Sequence, residues 1–135
     1  MSETLTATGT IESKSWEQAE YAGLDTPGPA LATAQGFDLY RGDLAGEADW
    51  RGLMYSAPDG SGTFDSLQRT RGTLHGRTGS FVLRMSGTFT PTGDSRAEWS
   101  IVPGSGTGEL AGISGGGGYE SSAGNTTYTL TYQRG

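Results

Sequence analysis

The chain lacks cysteine altogether and carries one histidine among its 135 residues. Without cysteine there is no disulfide framework and no thiol nucleophile. One histidine supports neither a multi-histidine metal site nor a serine–histidine–aspartate triad. His75 stands beside Gly76 and reads as an exposed turn residue. Positive charge is also scarce. Nine basic against fifteen acidic residues leave a net charge of −6, and the arginines do not cluster, which argues against nucleic-acid and anionic-membrane partners. No apolar run approaches membrane-spanning length. The opening "MSETLTATGT" has neither a basic segment nor an apolar core, so no secretory leader is expected and a cytoplasmic location follows by default. A Gly-Lys-Ser/Thr phosphate loop is missing. "GTGELA" fits a dinucleotide-type glycine pattern only loosely, with no helix after it. The expectation is therefore no metal and no cofactor.

What remains is glycine and aromatics: 24 glycines and thirteen Phe, Trp and Tyr. Disorder depletes aromatics, whereas here they recur inside alternating segments. Helical periodicity is nearly absent; "SWEQAEYAG" (Ser15 to Gly23) is the one place for a short helical turn. Elsewhere the period is two, the mark of strands with one buried face. One face collects Leu5, Ala7, Gly9 and Ile11. The next segments collect Leu31, Thr33, Gln35, Phe37 and Leu39, then Leu44, Ala48, Trp50 and Met54. Phe64, Ser66, Gln68 and Thr70 follow, then Phe81, Leu83, Met85 and Phe89. Ala97, Trp99 and Ile101, and finally Tyr128, Leu130 and Tyr132, complete the set. Turn residues fall between these runs. The pattern predicts a single all-β domain over residues 1–135, built of eight strands in sequential hairpins at a spacing typical of a sandwich or an up-and-down barrel.

Hairpin arithmetic supplies a register. A turn at Gly42-Asp43 places Gln35 opposite Trp50. A turn at Gly76-Arg77 places Gln68 opposite Met85, and a hairpin centred on Gly93 places Gly87 opposite Trp99. In each case apolar face meets apolar face, and a one-residue slip would mix them. Up-and-down order puts the tight links, around 42, 76 and 104–108, at one end. The longer links, 17–29, 57–62, 91–94 and 121–125, lie at the other, where a cavity would open with Trp16, Tyr21, Pro27 and Pro29 near its mouth. Arg69, Arg71 and Arg84 fall outside. So do Leu53, Tyr55, Leu67 and Val82, which could support a homodimer or homotrimer.

The interior so assembled holds Trp50, Trp99, Met54, Met85, Phe37, Phe64, Phe81, Phe89, Tyr128 and Tyr132, with Gln35 and Gln68 as its clearest polar members. Eight strands can be filled by such side chains, or the same residues can wall a pocket with a few oriented polar groups. Two interior glutamines favour the pocket, because a buried amide without a partner costs about 1–3 kcal/mol.

Over nearly its whole length the chain resembles a bacterial family known as DUF3224. The matching stretches, in order, are "GTIESKSW", "GDLAGEA", "GTLHGRTGSFVLRMSGTF", "VPGSGTGELAGISG" and a final "YTLTY". The glycine passage from Val102 is also similar to that of allene oxide cyclase and dirigent-type barrels. The resemblance implies an eight-stranded antiparallel up-and-down β-barrel of allene oxide cyclase or lipocalin type. Gly104 to Gly118 would then be strand and tight-turn positions where neighbouring backbone comes close. The sequence departs from the family pattern at Gln68-Arg69, where Glu-Arg is expected, and at Met85, where a histidine is expected. A neutral interior at these positions suits an apolar ligand.

By analogy with allene oxide cyclase, the resemblance implies a cofactor-independent cyclase or isomerase. Its substrate would be a hydrophobic small molecule of polyketide, terpenoid or fatty-acid type. Gln68 and Gln35 would orient a carbonyl and Tyr128 would donate a proton. Trp50, Met54, Phe64, Met85, Trp99, Phe37 and Phe89 would shape the substrate. A non-catalytic carrier of the same class of molecule fits the same residues.

Overall fold

The computed structural model describes residues 3–20 and 30–135. Among these are nine strands: β1 (Thr4–Glu20), β2 (Ala30–Gly42), β3 (Leu44–Ser56), β4 (Gly62–Leu74), β5 (Arg77–Phe89), β6 (Ser95–Ile101), the two-residue β7 (Thr107–Gly108), β8 (Ser114–Ser122) and β9 (Asn125–Gln133). Apart from β7, each strand pairs antiparallel with the next, and β9 returns to β1. The result is a closed eight-stranded antiparallel barrel, the architecture that the resemblance implies. Over the closed part of the barrel this removes the unpaired edges that make an open sheet prone to association. The outer surface carries charged rungs between strands, Asp49 with Arg69 and Glu47 with Arg71.

Two features depart from the expected pattern at β1. The strand runs through Ser15–Glu20, where a helical turn was expected; the rest of that stretch, Tyr21 to Gly23, lies outside the described residues. A bulge at Lys14 shifts the pairing, with Ser13 opposite Asp38 and Ser15 opposite Phe37. Inward positions therefore change from odd to even numbers, and Trp16 and Gln18 join the inner face. In addition, β9 pairs with β1 only over Thr4–Thr10. From Ile11 onward β1 is held by β2 alone among the described residues.

The register of three hairpins also differs from expectation. At β2–β3 the slip is one residue: Gln35 pairs with Arg51, and Gly36 with Trp50. Because side chains alternate, the whole of β2 turns over. Ala32, Ala34 and Tyr40 are buried, whereas Gln35 is exposed and Phe37 lies on the outer face. The connection is a single residue, Asp43, after Gly42 at φ +108°. The Asp43 carboxylate accepts from the Thr8 amide at 3.0 Å, fixing this shorter turn. At β4–β5 and β5–β6 the shift is two, which keeps faces and changes partners. Gln68 pairs with Leu83, and Met85 with Trp99. The β4–β5 turn is His75-Gly76, both at positive φ (46° and 80°), the backbone of a two-residue type I′ hairpin.

The glycine-rich passage is β8 with its preceding turns. Gly117 sits on the inner face between Trp99 and Leu130. A Cβ there would lie 2.0 Å from the Thr129 carbonyl oxygen. These glycines thus let β8 and β9 approach closely and give the Trp99 ring room, as the resemblance implies.

The barrel is filled at one end and hollow at the other. Leu44, Leu74, Phe81, Leu83, Ile101, Leu110, Ile113, Leu130 and Tyr132 pack the tight-turn end. Toward the longer connections the inward residues become Gly, Ala and Ser as well as aromatics, and they do not meet across the axis.

Candidate functional site

At the hollow end lies a cavity of about 610 Å³, a volume typical of small-molecule sites. Ser56, Gly93, Ser121 and Thr126 border it, which places its mouth at the long-loop end, as the loop lengths predict. Tyr21, Pro27 and Pro29, expected near that mouth, lie outside the described residues; Trp16, also expected there, does line the cavity.

Gly36 organises the upper wall. It pairs with Trp16 on one side and Trp50 on the other. A Cβ on Gly36 would stand 2.7 Å from Cε2, Cζ2 and Nε1 of Trp50, so the indole lies directly over the glycine. Phe64 over Gly87, and Phe89 over Gly62, repeat this pairing of ring with bare backbone on β4 and β5. Met54, Phe64, Met85 and Phe89 form the apolar wall.

One step below Gly36 on the same face of β2 is Asp38. Burial raises its pKa from 3.8 to about 6, and the indole N–H of Trp50 pulls it partly back. The carboxyl thus titrates near neutrality. Two phenols stand near it, and each feels its charge. Burial pushes the hydroxyl of Tyr40 well up, and Asp38 adds to that rise after the Gln68 amide has offset some of it. Tyr119 is raised by burial and then by Asp38, against a hydrogen bond to Ser95. Both phenols remain protonated donors at neutral pH.

Beneath them, Gln68 is 1% exposed and donates to the Tyr40 hydroxyl at 2.7 Å and to Thr70 Oγ1 at 3.1 Å. Both amide protons are spent on the wall. Tyr40 accepts from Gln68, and its own proton is not engaged by another described side chain. An oriented donor and a carboxyl of intermediate pKa therefore share one apolar chamber, the minimum equipment for moving a proton.

Of the residues expected from the sequence, Gln68, Trp50, Met54, Phe64, Met85 and Phe89 line this cavity. Gln35 and Phe37 do not. Gln35 is on the outer face, where it donates to the Glu17 carboxylate at 2.9 Å; the β2 slip removes both residues from any interior role. Tyr128 points inward but belongs to the filled end. Its hydroxyl accepts from the Leu44 amide at 2.9 Å and lies 3.1 Å from the carbonyls of Arg41 and Leu44. Trp99 is buried beside Tyr40, Tyr119 and Tyr128 and supports the cavity floor. His75 is an exposed turn residue, as expected, with Nδ1 2.5 Å from the Tyr132 hydroxyl at the far end. Among the described residues no group of three His, Cys, Asp or Glu could hold a metal ion.

Asp38, Tyr40 and Tyr119 are cavity residues that the sequence reading did not single out. A signal for Asp38 was present: in "ATAQGFDLY" the small residues Ala32, Ala34 and Gly36 share its parity. A face of small residues is what a wall carrying neighbouring rings requires.

A family model described as a protein of unknown function, DUF3224, matches residues 7–132. The chain belongs to the DUF3224 family. The barrel is also similar to a crystal structure of a protein with unknown function from this family, from Shewanella oneidensis MR-1. The identity is 26% and the TM-score 0.83, covering 98% of this chain and 99% of that one. No curated protein matches. DUF3224 membership and the barrel thus agree, and the cavity is the feature of this member on which function can be argued.

Proposed function

We propose that this DUF3224 barrel holds a hydrophobic small molecule and isomerises or cyclises it using its own acid–base groups, in the manner of an allene oxide cyclase-like barrel. The observation that carries the reading is Asp38, a carboxyl of pKa about 6 facing an otherwise apolar cavity. Catalytic carboxyls are commonly tuned toward the working pH in this way. The roles first expected for Gln35 and Tyr128 pass to Asp38 and Tyr40.

A substrate bearing a carbonyl supplies the simplest scheme. Asp38 takes a proton from the carbon next to the carbonyl. The C–H electron pair moves to oxygen, and the Tyr40 hydroxyl donates to the resulting enolate. The enolate carbon then closes a ring onto the electrophilic end of a second conjugated double bond of the same molecule, whose displaced π pair takes up the proton from Asp38; alternatively Asp38 returns the proton at another carbon of the conjugated system. Trp50, Phe64, Met54 and Met85 hold the flexible chain in the reactive conformation, and that orientation supplies much of the rate. Polyketide-, terpenoid- and fatty-acid-type ketones are the substrate classes that fit such walls.

A second reading, a non-catalytic carrier, is favoured by one observation. Both amide protons of Gln68 are committed to Tyr40 and Thr70, so the cavity's buried amide serves its wall. The two readings separate in deuterium oxide. A panel of conjugated hydrophobic ketones is titrated by tryptophan fluorescence and then followed by NMR. Exchange or rearrangement that disappears in Asp38→Asn, while binding persists, supports catalysis. Binding with no exchange for any ligand supports the carrier.

A further inference from the structure

The cavity has one charge and no internal partner for it. Asp38 is the one inward-facing carboxylate among the residues that line it; Asp65 also borders the cavity but faces outward on β4 and accepts from Ser86 at 2.6 Å. No lysine or arginine lines the cavity among the described residues, and residues 21–29 contain none. Asp38's cross-strand neighbours are Ser13 and Ala48, both uncharged. The polar groups that reach toward it are the Trp50 indole and the phenols of Tyr40 and Tyr119. A carboxylate placed in this way is short of a counter-ion.

The rings around Asp38 are of the kind that supplies the rest of a cation site. Trp50 and, half exposed at the mouth, Trp16 flank Gly36 immediately above it. Tyr119 stands nearby, with Phe64 stacked on it at a centroid distance of 6.5 Å. Indole and phenol faces attract positive charge, most strongly where water is excluded. Glu20, on the same face of β1 as Trp16 and Gln18, ends that strand at the mouth side and adds negative charge along the way in. Aromatic walls alone would suit any hydrophobic guest. Aromatic walls around one unpaired carboxylate discriminate among guests by charge.

We infer that the cavity selects a hydrophobic molecule carrying a positively charged nitrogen, an amine, iminium or quaternary ammonium, seated between Trp16 and Trp50 with its charge on Asp38. This rests on the reading of the cavity as a ligand site and names the class of ligand. It also fits the proposed chemistry. In the iminium case the C–H next to the C=N carbon is acidified, so the same carboxylate can pair with the charge and accept that proton while the C–H electron pair forms the new C=C bond and the C=N π pair moves to nitrogen, giving an enamine.

The test uses two probes of nearly equal shape: benzyltrimethylammonium and its neutral carbon isostere, neopentylbenzene. Each is titrated into the intact protein at pH 7.5 by tryptophan fluorescence and calorimetry. The cation is expected to bind about tenfold or more tightly than the isostere. In Asp38→Asn that preference should fall to about threefold or less, while the affinity for the isostere stays within about twofold of wild type. Far-UV circular dichroism checks that the variant is folded, and the wild-type ratio needs no variant at all. Equal binding of the two probes overturns the inference and leaves the hydrophobic ligand site standing. A cation preference that survives Asp38→Asn overturns the role of the carboxylate. Failure of both probes to bind overturns the inference together with the ligand-site reading.

Discussion

Trp50 lies flat across Gly36, its cross-strand partner, so closely that a Cβ on Gly36 would stand 2.7 Å from the indole. Space for the largest ring of the cavity is thus created on the neighbouring strand. The expected outcome for Gly36→Ala is an indole pushed off β2 into the cavity. That should cost about 1–3 kcal/mol as overpacking, weaken ligand binding and shift the tryptophan emission. Urea unfolding and fluorescence spectra check it. An unchanged spectrum with unchanged stability would contradict the contact.

Asp38 ties stability to pH. Its folded pKa of about 6 exceeds the ordinary 3.8, so the folded state holds the proton more tightly than the unfolded state. The contribution favours folding at low pH and is lost as pH rises from about 4 through about 6. Asp38→Asn removes the ionisation, and its melting temperature should exceed that of wild type at pH 7.5. The difference should correspond to about 1–2 kcal/mol after allowance for water entering the cavity, and it should vanish near pH 3.5. Thermal melts across that range decide the matter; a gap independent of pH would exclude this origin.

Tyr128 is expected to be structural. Tyr128→Phe strips the Leu44 amide of its acceptor at the β2–β3 turn, with an expected loss of about 1–2 kcal/mol. Ligand affinity should stay within about twofold of wild type, because the hydroxyl belongs to the filled end. Denaturation paired with ligand titration separates the effects. A large loss of affinity with little loss of stability would return Tyr128 to the site.

Met85 borders the cavity opposite Trp99 in the β5–β6 ladder. Met85→Trp should occupy the hollow with its own ring, abolishing ligand binding while the barrel still melts cooperatively. Calorimetric titration and circular dichroism check both halves. Retained full affinity would place the ligand elsewhere.

The sequence made the barrel readable because, apart from glycine-rich β8 and the two-sided β2, its strands largely alternate apolar and polar residues, and because turn residues separate them. It misled at β2, where both faces carry apolar groups. Leu31, Phe37 and Leu39 look like a core face, yet they lie outside; Ala32, Ala34 and Gly36 look weak, yet they lie inside. A filled core rewards large side chains, whereas the wall of a cavity rewards small ones under another strand's rings. The single-residue turn at Asp43 is likewise settled by a long-range bond to Thr8, which local turn chemistry does not reveal. Asp38 was hidden because its direction depends on the parity of β2, and the inward turn of Trp16, whose place near the mouth was expected, depends on the extra residue at Lys14.

The one-sided pairing of β1 beyond Thr10 makes the cylinder mechanically uneven. A staved vessel opens along the joint that is fastened on one side, and here that joint runs beside the cavity mouth. Among the described residues β1 is bonded there to β2 and β2 to β3, so an outward flex of β1 would bend these ladders without breaking them, at a lower cost than any opening of the tight-turn end. Trp16, carried on β1, would move with that flex and change the width of the cavity mouth.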